Sequence, residues 1–251
     1  MRFPFLAAAA FAVGLVVMPA ARADAPKPPL TPEQSAAVEQ MIHDYLMNHP
    51  EVLTQAISHA EDDAKAKDQV AATKLVQAHR DELEHDPGAP IFGDPAGDVT
   101  VVEFFDYRCP YCKATAPAVE QLLANDPKIR WVLKDYPILG PDSVYAAQVA
   151  AVAQRHGKLR EFWKAMFAMK DKATPDSTLK VAKSVGLDPT LVKQEMADPE
   201  IDAWIKRNED LARLLSIDGT PTFIIGTTIF PGAVEPDELA AAIAAARKNP
   251  A

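Results

Sequence analysis

Only two cysteines, Cys109 and Cys112, occur among the 251 residues, too few for a disulfide framework. No second Cys-x-x-Cys and no His-x-x-x-His spacing accompanies them, so no metal site is expected. Basic residues are also scarce: 26 Lys and Arg stand against 35 Asp and Glu, a formal charge of −9, which argues against nucleic acid as a partner. No apolar run reaches the roughly 20 residues a membrane span needs. The longest, Phe5 to Met18, falls short. After Pro50, neither glycine nor proline appears again before Pro87, and that absence points to uninterrupted helix.

What is present begins with an export signature. Arg2, the apolar run and the small-x-small site Ala21-Arg22-Ala23 read as a secretory signal over residues 1–23. The mature chain is then expected to begin near Asp24 and to be soluble in a bacterial periplasm. In such a compartment a lone Cys-x-x-Cys pair reads as a working redox centre, because a staple would close a longer loop than this one.

Cys109-Pro110-Tyr111-Cys112 follows the strand-like run Val101-Val102-Glu103-Phe104-Phe105-Asp106-Tyr107-Arg108 and precedes a helix-like one. A thiolate at a helix N-terminus faces unpaired N–H groups and the positive end of the dipole, with Arg108 adding charge beside it, so Cys109 should ionise below the ordinary value of about 8.5. Cys112, one turn on, is placed to attack a mixed disulfide on Cys109 and release the partner. Pro110 suits a first helical turn. Glu103 interrupts an apolar strand; if buried it needs a partner, for which Lys134 at the end of the neighbouring strand is a candidate.

Around this motif the chain divides near Asp86-Pro87-Gly88-Ala89-Pro90. Residues 24–86 form an arm: an extended leader over 25–29, a helix over 32–47 begun by Thr31-Pro32-Glu33-Gln34, and helical spacing over 50–84 with a charged linker near 61–69. The arm's narrow apolar stripe suggests a homo-oligomer, dimer or trimer, formed through residues 30–85. Its five histidines lack ligand spacing and read as surface residues. Residues 87–251 supply an edge strand at 91–95, strands at 99–106 and 129–134 about a helix from Pro110, an all-helical insertion over about 142–216, strands at 222–225 and 228–230, and a last helix from Pro236. Strand, helix, strand implies parallel pairing with a right-handed crossover.

Over residues 88–248 the chain resembles the thioredoxin superfamily, and within it the DsbA-like branch. The resemblance rests on the strand running into Cys109-Pro110-Tyr111-Cys112, the helical insertion, and Gly219-Thr220-Pro221-Thr222-Phe223. It implies an α/β thioredoxin fold with a helical insertion, Cys109 as exposed nucleophile, Cys112 as buried resolving thiol, and Thr220-Pro221 as a cis-proline loop facing them. It further implies proton transfer at Cys112 supported by Glu103, and no cofactor beyond the redox-active disulfide Cys109–Cys112. With the arm added, the layout is similar to the ScsC group of suppressor-of-copper-sensitivity proteins. That similarity implies exported client proteins and a membrane redox partner resembling ScsB.

The expected activity is therefore a periplasmic thiol-disulfide oxidoreductase, acting mainly as an oligomeric disulfide isomerase. A monomeric DsbA-like oxidase shares every catalytic residue, and a copper(I)-binding protein could use the same two thiolates as soft ligands.

Overall fold

A computed structural model describes residues 30–248. The expected signal over 1–23 and the leader over 25–29 lie outside the described residues. The described residues divide into two units between Ala60 and Glu61.

In the first unit, helix α1 (Pro32–Asn48) opens on a capping box. The Gln34 N–H donates to the Thr31 hydroxyl at 3.3 Å and the Thr31 N–H donates to the Gln34 side chain at 3.0 Å. No residue of α1 is buried, and Val38, Met41, Ile42 and Tyr45 share one exposed face at helical spacing. Helix α2 (Pro50–Ala78) starts here and runs without interruption through 61–69. The linker expected in that segment is thus helix, since its mixed charges and lack of Gly or Pro break nothing.

The second unit takes the end of α2 and a short α3 (Arg80–Glu84), then β1 (Ile91–Gly93), β2 (Val99–Phe105), α4 (Pro110–Asn125) and β3 (Ile129–Asp135). Helices α5 (Pro141–Arg155), α6 (Leu159–Ala168), α7 (Pro175–Ser184), α8 (Pro189–Glu195) and α9 (Pro199–Leu214) form the insertion. Strands β4 (Thr222–Ile225) and β5 (Thr228–Pro231) and helix α10 (Pro236–Lys248) complete it. Proline at the first turn starts α4, α5, α7, α8 and α9, where its missing N–H is not needed, and the Thr174, Asp188 and Asp198 side chains cap α7, α8 and α9.

The sheet runs β1-β3-β2-β4-β5, with β2 and β3 parallel and the other neighbours antiparallel. This is a thioredoxin fold with a helical insertion. Alternation along the central strands divides the interior in two. Val101 and Phe105 of β2, with Trp131 and Leu133 of β3, enter the core shared with α4 to α7. Val102 and Phe104, with Val132, enter a second core that Val76, Leu83, Leu211 and Ile217 fill from the other side. Compactness consequently begins well before the break in composition at Pro87: Val76 and Leu83 are 2% and 1% exposed.

Candidate thiol site

Strand β2 delivers the chain to a turn that one buried carboxylate organises. Asp106 accepts from the Arg108 N–H at 2.7 Å through Oδ1 and from the Leu139 N–H at 3.0 Å through Oδ2. Its own carbonyl accepts from the Cys109 N–H at 3.0 Å. Burial raises the Asp106 carboxyl above the usual range despite these donors. Sequence reasoning passed over this residue; its signal was an aspartate closing an apolar strand just ahead of a helix.

Cys109 then stands at the N-cap of α4, with Pro110 as the first helical residue. Cys109 is 4% exposed, so it is not the exposed thiol the resemblance implied. The cis Thr220–Pro221 loop covers it, and its thiol donates to the Thr220 carbonyl oxygen at 3.0 Å. Cys109 still lines a cleft of about 380 Å³ between α4 and the α6–α7 connection. Tyr111, 63% exposed, stands at the surface beside it.

The two thiols are pushed apart in acidity. Cys109 is lowered to about 5, chiefly because the Cys112 thiol donates to it when ionised; burial opposes this, and the Thr220 side chain with the Cys112 and Tyr111 N–H groups adds to it. Arg108 is engaged on the neighbouring loop, where its Nη1 donates to the Leu139 carbonyl at 2.9 Å and approaches Asp142 at 3.8 Å. Cys112, 1% exposed, is raised by burial, by its bond to Cys109 and by the nearby Glu103 charge. Both cysteines are free thiols in this structure.

Glu103 is 1% exposed and accepts from Trp131 Nε1 at 2.8 Å. Burial pushes it up to about 7, against which the indole N–H pulls down. Lys134 does not pair with it. Lys134 lies one residue further along β3 than Leu133, the strand partner of Glu103, and a shift of one residue along a strand reverses the face. Its Nζ donates to Asp86 Oδ2 at 2.7 Å and to the Glu82 carbonyl at 2.9 Å, on the side of the second core. The proton-transfer pairing of Glu103 with Lys134 is corrected accordingly.

Two further groups escaped sequence reading. Asp135 is 2% exposed and raised well above the carboxylate range by burial and by Asp106; Tyr107 is raised by burial and by the charges of Asp135 and Glu103. Asp106, Tyr107 and Asp135 thus form a run of coupled groups that burial keeps from ionising. Among the described residues, no group of three or more His, Cys, Asp or Glu is placed to hold a metal ion, and no helix is long and apolar enough to cross a membrane.

Since the folded value of Glu103 lies above its ordinary 4.5, the fold favours its protonated form. That preference is complete below about 4.5 and is lost as pH rises through about 7, a cost of roughly 3 kcal/mol. Glu103→Gln is expected to remove this fall. Urea unfolding of the oxidised protein at pH 4.5 and pH 8, where neither thiol titrates, reads it; an unchanged difference between the two pH values would count against a buried titrating Glu103.

Residues 100–244 match the model of the DSBA-like thioredoxin domain, and residues 34–67 match the copper resistance protein ScsC N-terminal domain. A thioredoxin-like oxidoreductase from Silicibacter pomeroyi DSS-3 is 43% identical, with a TM-score of 0.66 over 67% of this chain and 98% of that one. Proteus mirabilis ScsC in a transitional conformation is 25% identical, with a TM-score of 0.65 over 87% of this chain and 99% of its own. The Na(+)/H(+) antiporter NhaA 3 of Salinispora tropica is 32% identical over 156 residues, 61% of this chain, and the chain spans 24% of the antiporter's length. With 145 residues matched across both the thiol motif and the cis-proline loop, the chain belongs to the DsbA-like thioredoxin family and carries an ScsC-type N-terminal domain ahead of it.

Proposed function

We propose that this protein is a thiol-disulfide oxidoreductase of exported proteins, working mainly as an oligomeric disulfide isomerase in the periplasm. One observation carries the reading: the fold holds Cys109 as a thiolate, at about 5, against a Cys112 that stays protonated. The Cys109 thiolate attacks one sulfur of a client disulfide, forming a new S–S bond and expelling the client's other sulfur as a thiolate, which takes a proton. A different client thiolate can then attack the mixed disulfide, leaving a rearranged client and a free Cys109. If none does, Cys112 gives up its proton, bonds to Cys109 and releases the client as a dithiol. Glu103, at about 7 and electrostatically coupled to Cys112, is suited to receive that proton. The Cys109–Cys112 disulfide then needs a reductant, for which a membrane dithiol partner resembling ScsB is the fitting class. Export by the signal over 1–23 would bring the protein to both.

The isomerase reading leans on the arm. Met41 and Ile42 are 69% and 53% exposed, and Tyr45 is 53% exposed, on a helix with no buried residue. An apolar face left exposed among the described residues suits packing against other copies. Ile42→Asp with Tyr45→Asp is expected to convert an oligomer into monomers by sedimentation. It should also abolish recovery of ribonuclease activity from scrambled disulfides while oxidation of a reduced peptide persists. A variant that stays oligomeric, or one that is monomeric and still reactivates ribonuclease, removes the arm from the mechanism. If neither form reactivates ribonuclease and both oxidise the peptide, a DsbA-like oxidase is the better reading. A shortened chain for the same purpose should begin at Glu61, because a cut at Pro87 strips Val76 and Leu83 from the second core.

A further inference from the structure

The cleft beside Cys109 has a charge opposite to that of the chain. Four cationic residues, Arg108, Lys113, Lys170 and Lys172, line it against one acid, Asp171, in a protein of formal charge −9. Arg108 is committed to Leu139 and Asp142. Lys113, Lys170 and Lys172 form no ion pair among the described residues, and the latter two are exposed. The same lining carries the apolar residues Leu139, Met166 and Met169. Methionine side chains adjust to irregular partners, a property suited to varied polypeptide sequences rather than one ligand.

We infer that this cleft receives the segment flanking a client's reactive cysteine and selects segments in which an acidic residue adjoins an apolar one. The inference rests on the oxidoreductase reading, because a client cysteine bonded to Cys109 places its chain neighbours at the mouth of the cleft. An apolar side chain lies on Leu139 and the methionines while the adjacent carboxylate meets Lys113, Lys170 or Lys172. The lysines act on arrival of the client and on its orientation, so they set which disulfides are attacked, leaving the chemistry at sulfur to the thiols. Lysine rather than arginine suits this role: three mobile point charges can follow a carboxylate whose position varies from client to client.

The test uses the reduced full-length protein and three short peptides that differ at one residue beside a single cysteine: Leu-Glu, Leu-Gln or Leu-Lys. Each cysteine is activated as a mixed disulfide with 2-thiopyridine. Attack by Cys109 on the peptide sulfur forms the protein–peptide S–S bond and expels 2-thiopyridone, whose absorbance gives the rate constant. Wild type is expected to react about tenfold faster with the glutamate peptide than with the lysine peptide at low salt. Lys170→Glu with Lys172→Glu, distant in sequence from the thiols, is expected to reverse that order. Equal rates for the glutamate and lysine peptides in wild type, or an order the double variant does not change, overturns the inference while the glutamine peptide still reports a working thiolate. Failure of all three peptides to react overturns the oxidoreductase reading itself, and the selectivity with it.

Discussion

Cys109→Ser is expected to bring disulfide exchange down to the uncatalysed rate, while Cys112→Ser keeps the first attack and accumulates protein–client mixed disulfides. With Cys109 at about 5, nearly all of it is thiolate at neutral pH. An ordinary thiol at about 8.5 is roughly 3% ionised there, so the fold keeps about thirtyfold more of this sulfur in the attacking form. Cys112 cannot take its place. Burial raises it above the ordinary value, and at 1% exposure it meets no client directly. Release is a different matter, because Cys112 is the one other cysteine in the chain and sits one turn further along α4. Non-reducing electrophoresis after mixing with a disulfide-bonded client separates the two variants. Release of the client by Cys112→Ser at the wild-type rate would show that a client thiol does the resolving.

The same placement fixes a pH profile. Alkylation of Cys109 by iodoacetamide should be flat from pH 8 to pH 6 and fall by half near pH 5, whereas an ordinary thiol loses about tenfold per pH unit throughout that range. Because the folded value is depressed, ionisation stabilises the reduced fold above the ordinary thiol value, and that contribution is lost as pH falls toward about 5. A Thr220→Val variant removes the hydroxyl among the groups favouring the thiolate, and its alkylation profile should move to higher pH.

How far the sequence alone reached depended on whether a residue's signal was local. Prolines at first helical turns, the caps at Thr31, Thr174, Asp188 and Asp198, and the β-branched and aromatic run of β2 are all written within a few residues, and the helices and strands follow them. The thiol pair was legible for the same reason. Contacts that cross the fold were not. Glu103 finds Trp131 at a sequence distance of 28, and Asp106 finds Leu139 at 33. The choice of Lys134 as partner for Glu103 failed on strand parity, which requires the register of β2 against β3 and not merely their existence. The arm was misread in one respect for the opposite reason: its composition changes at Pro87, but the apolar residues that close the second core, Val76 and Leu83, sit earlier in a charged background.

Lys134→Met is expected to destabilise the fold by about 3–5 kcal/mol without moving the thiol chemistry, the reverse of what a proton-transfer role predicts. Lys134 is 1% exposed, and burial lowers its ammonium while Asp86 holds it up. Burial pushes Asp86 upward in turn, yet the Lys134 ammonium brings it below the usual carboxylate range. Removing the lysine strands a partly buried carboxylate and leaves the Glu82 carbonyl without this donor. Replacing both members, Lys134→Met with Asp86→Leu, should recover most of the loss, because an apolar pair leaves no buried charge unmatched. A double-mutant cycle by urea unfolding measures this coupling, and iodoacetamide profiles of the same variants check that Cys109 still titrates near 5. Stability unchanged in Lys134→Met, with Cys109 or Glu103 shifted, would return the lysine to the thiol site. The expected result gives it another task. Glu82 and Asp86 lie ahead of Pro87, so this one ammonium ties the segment leading out of the arm to the central strand beside the active-site strand.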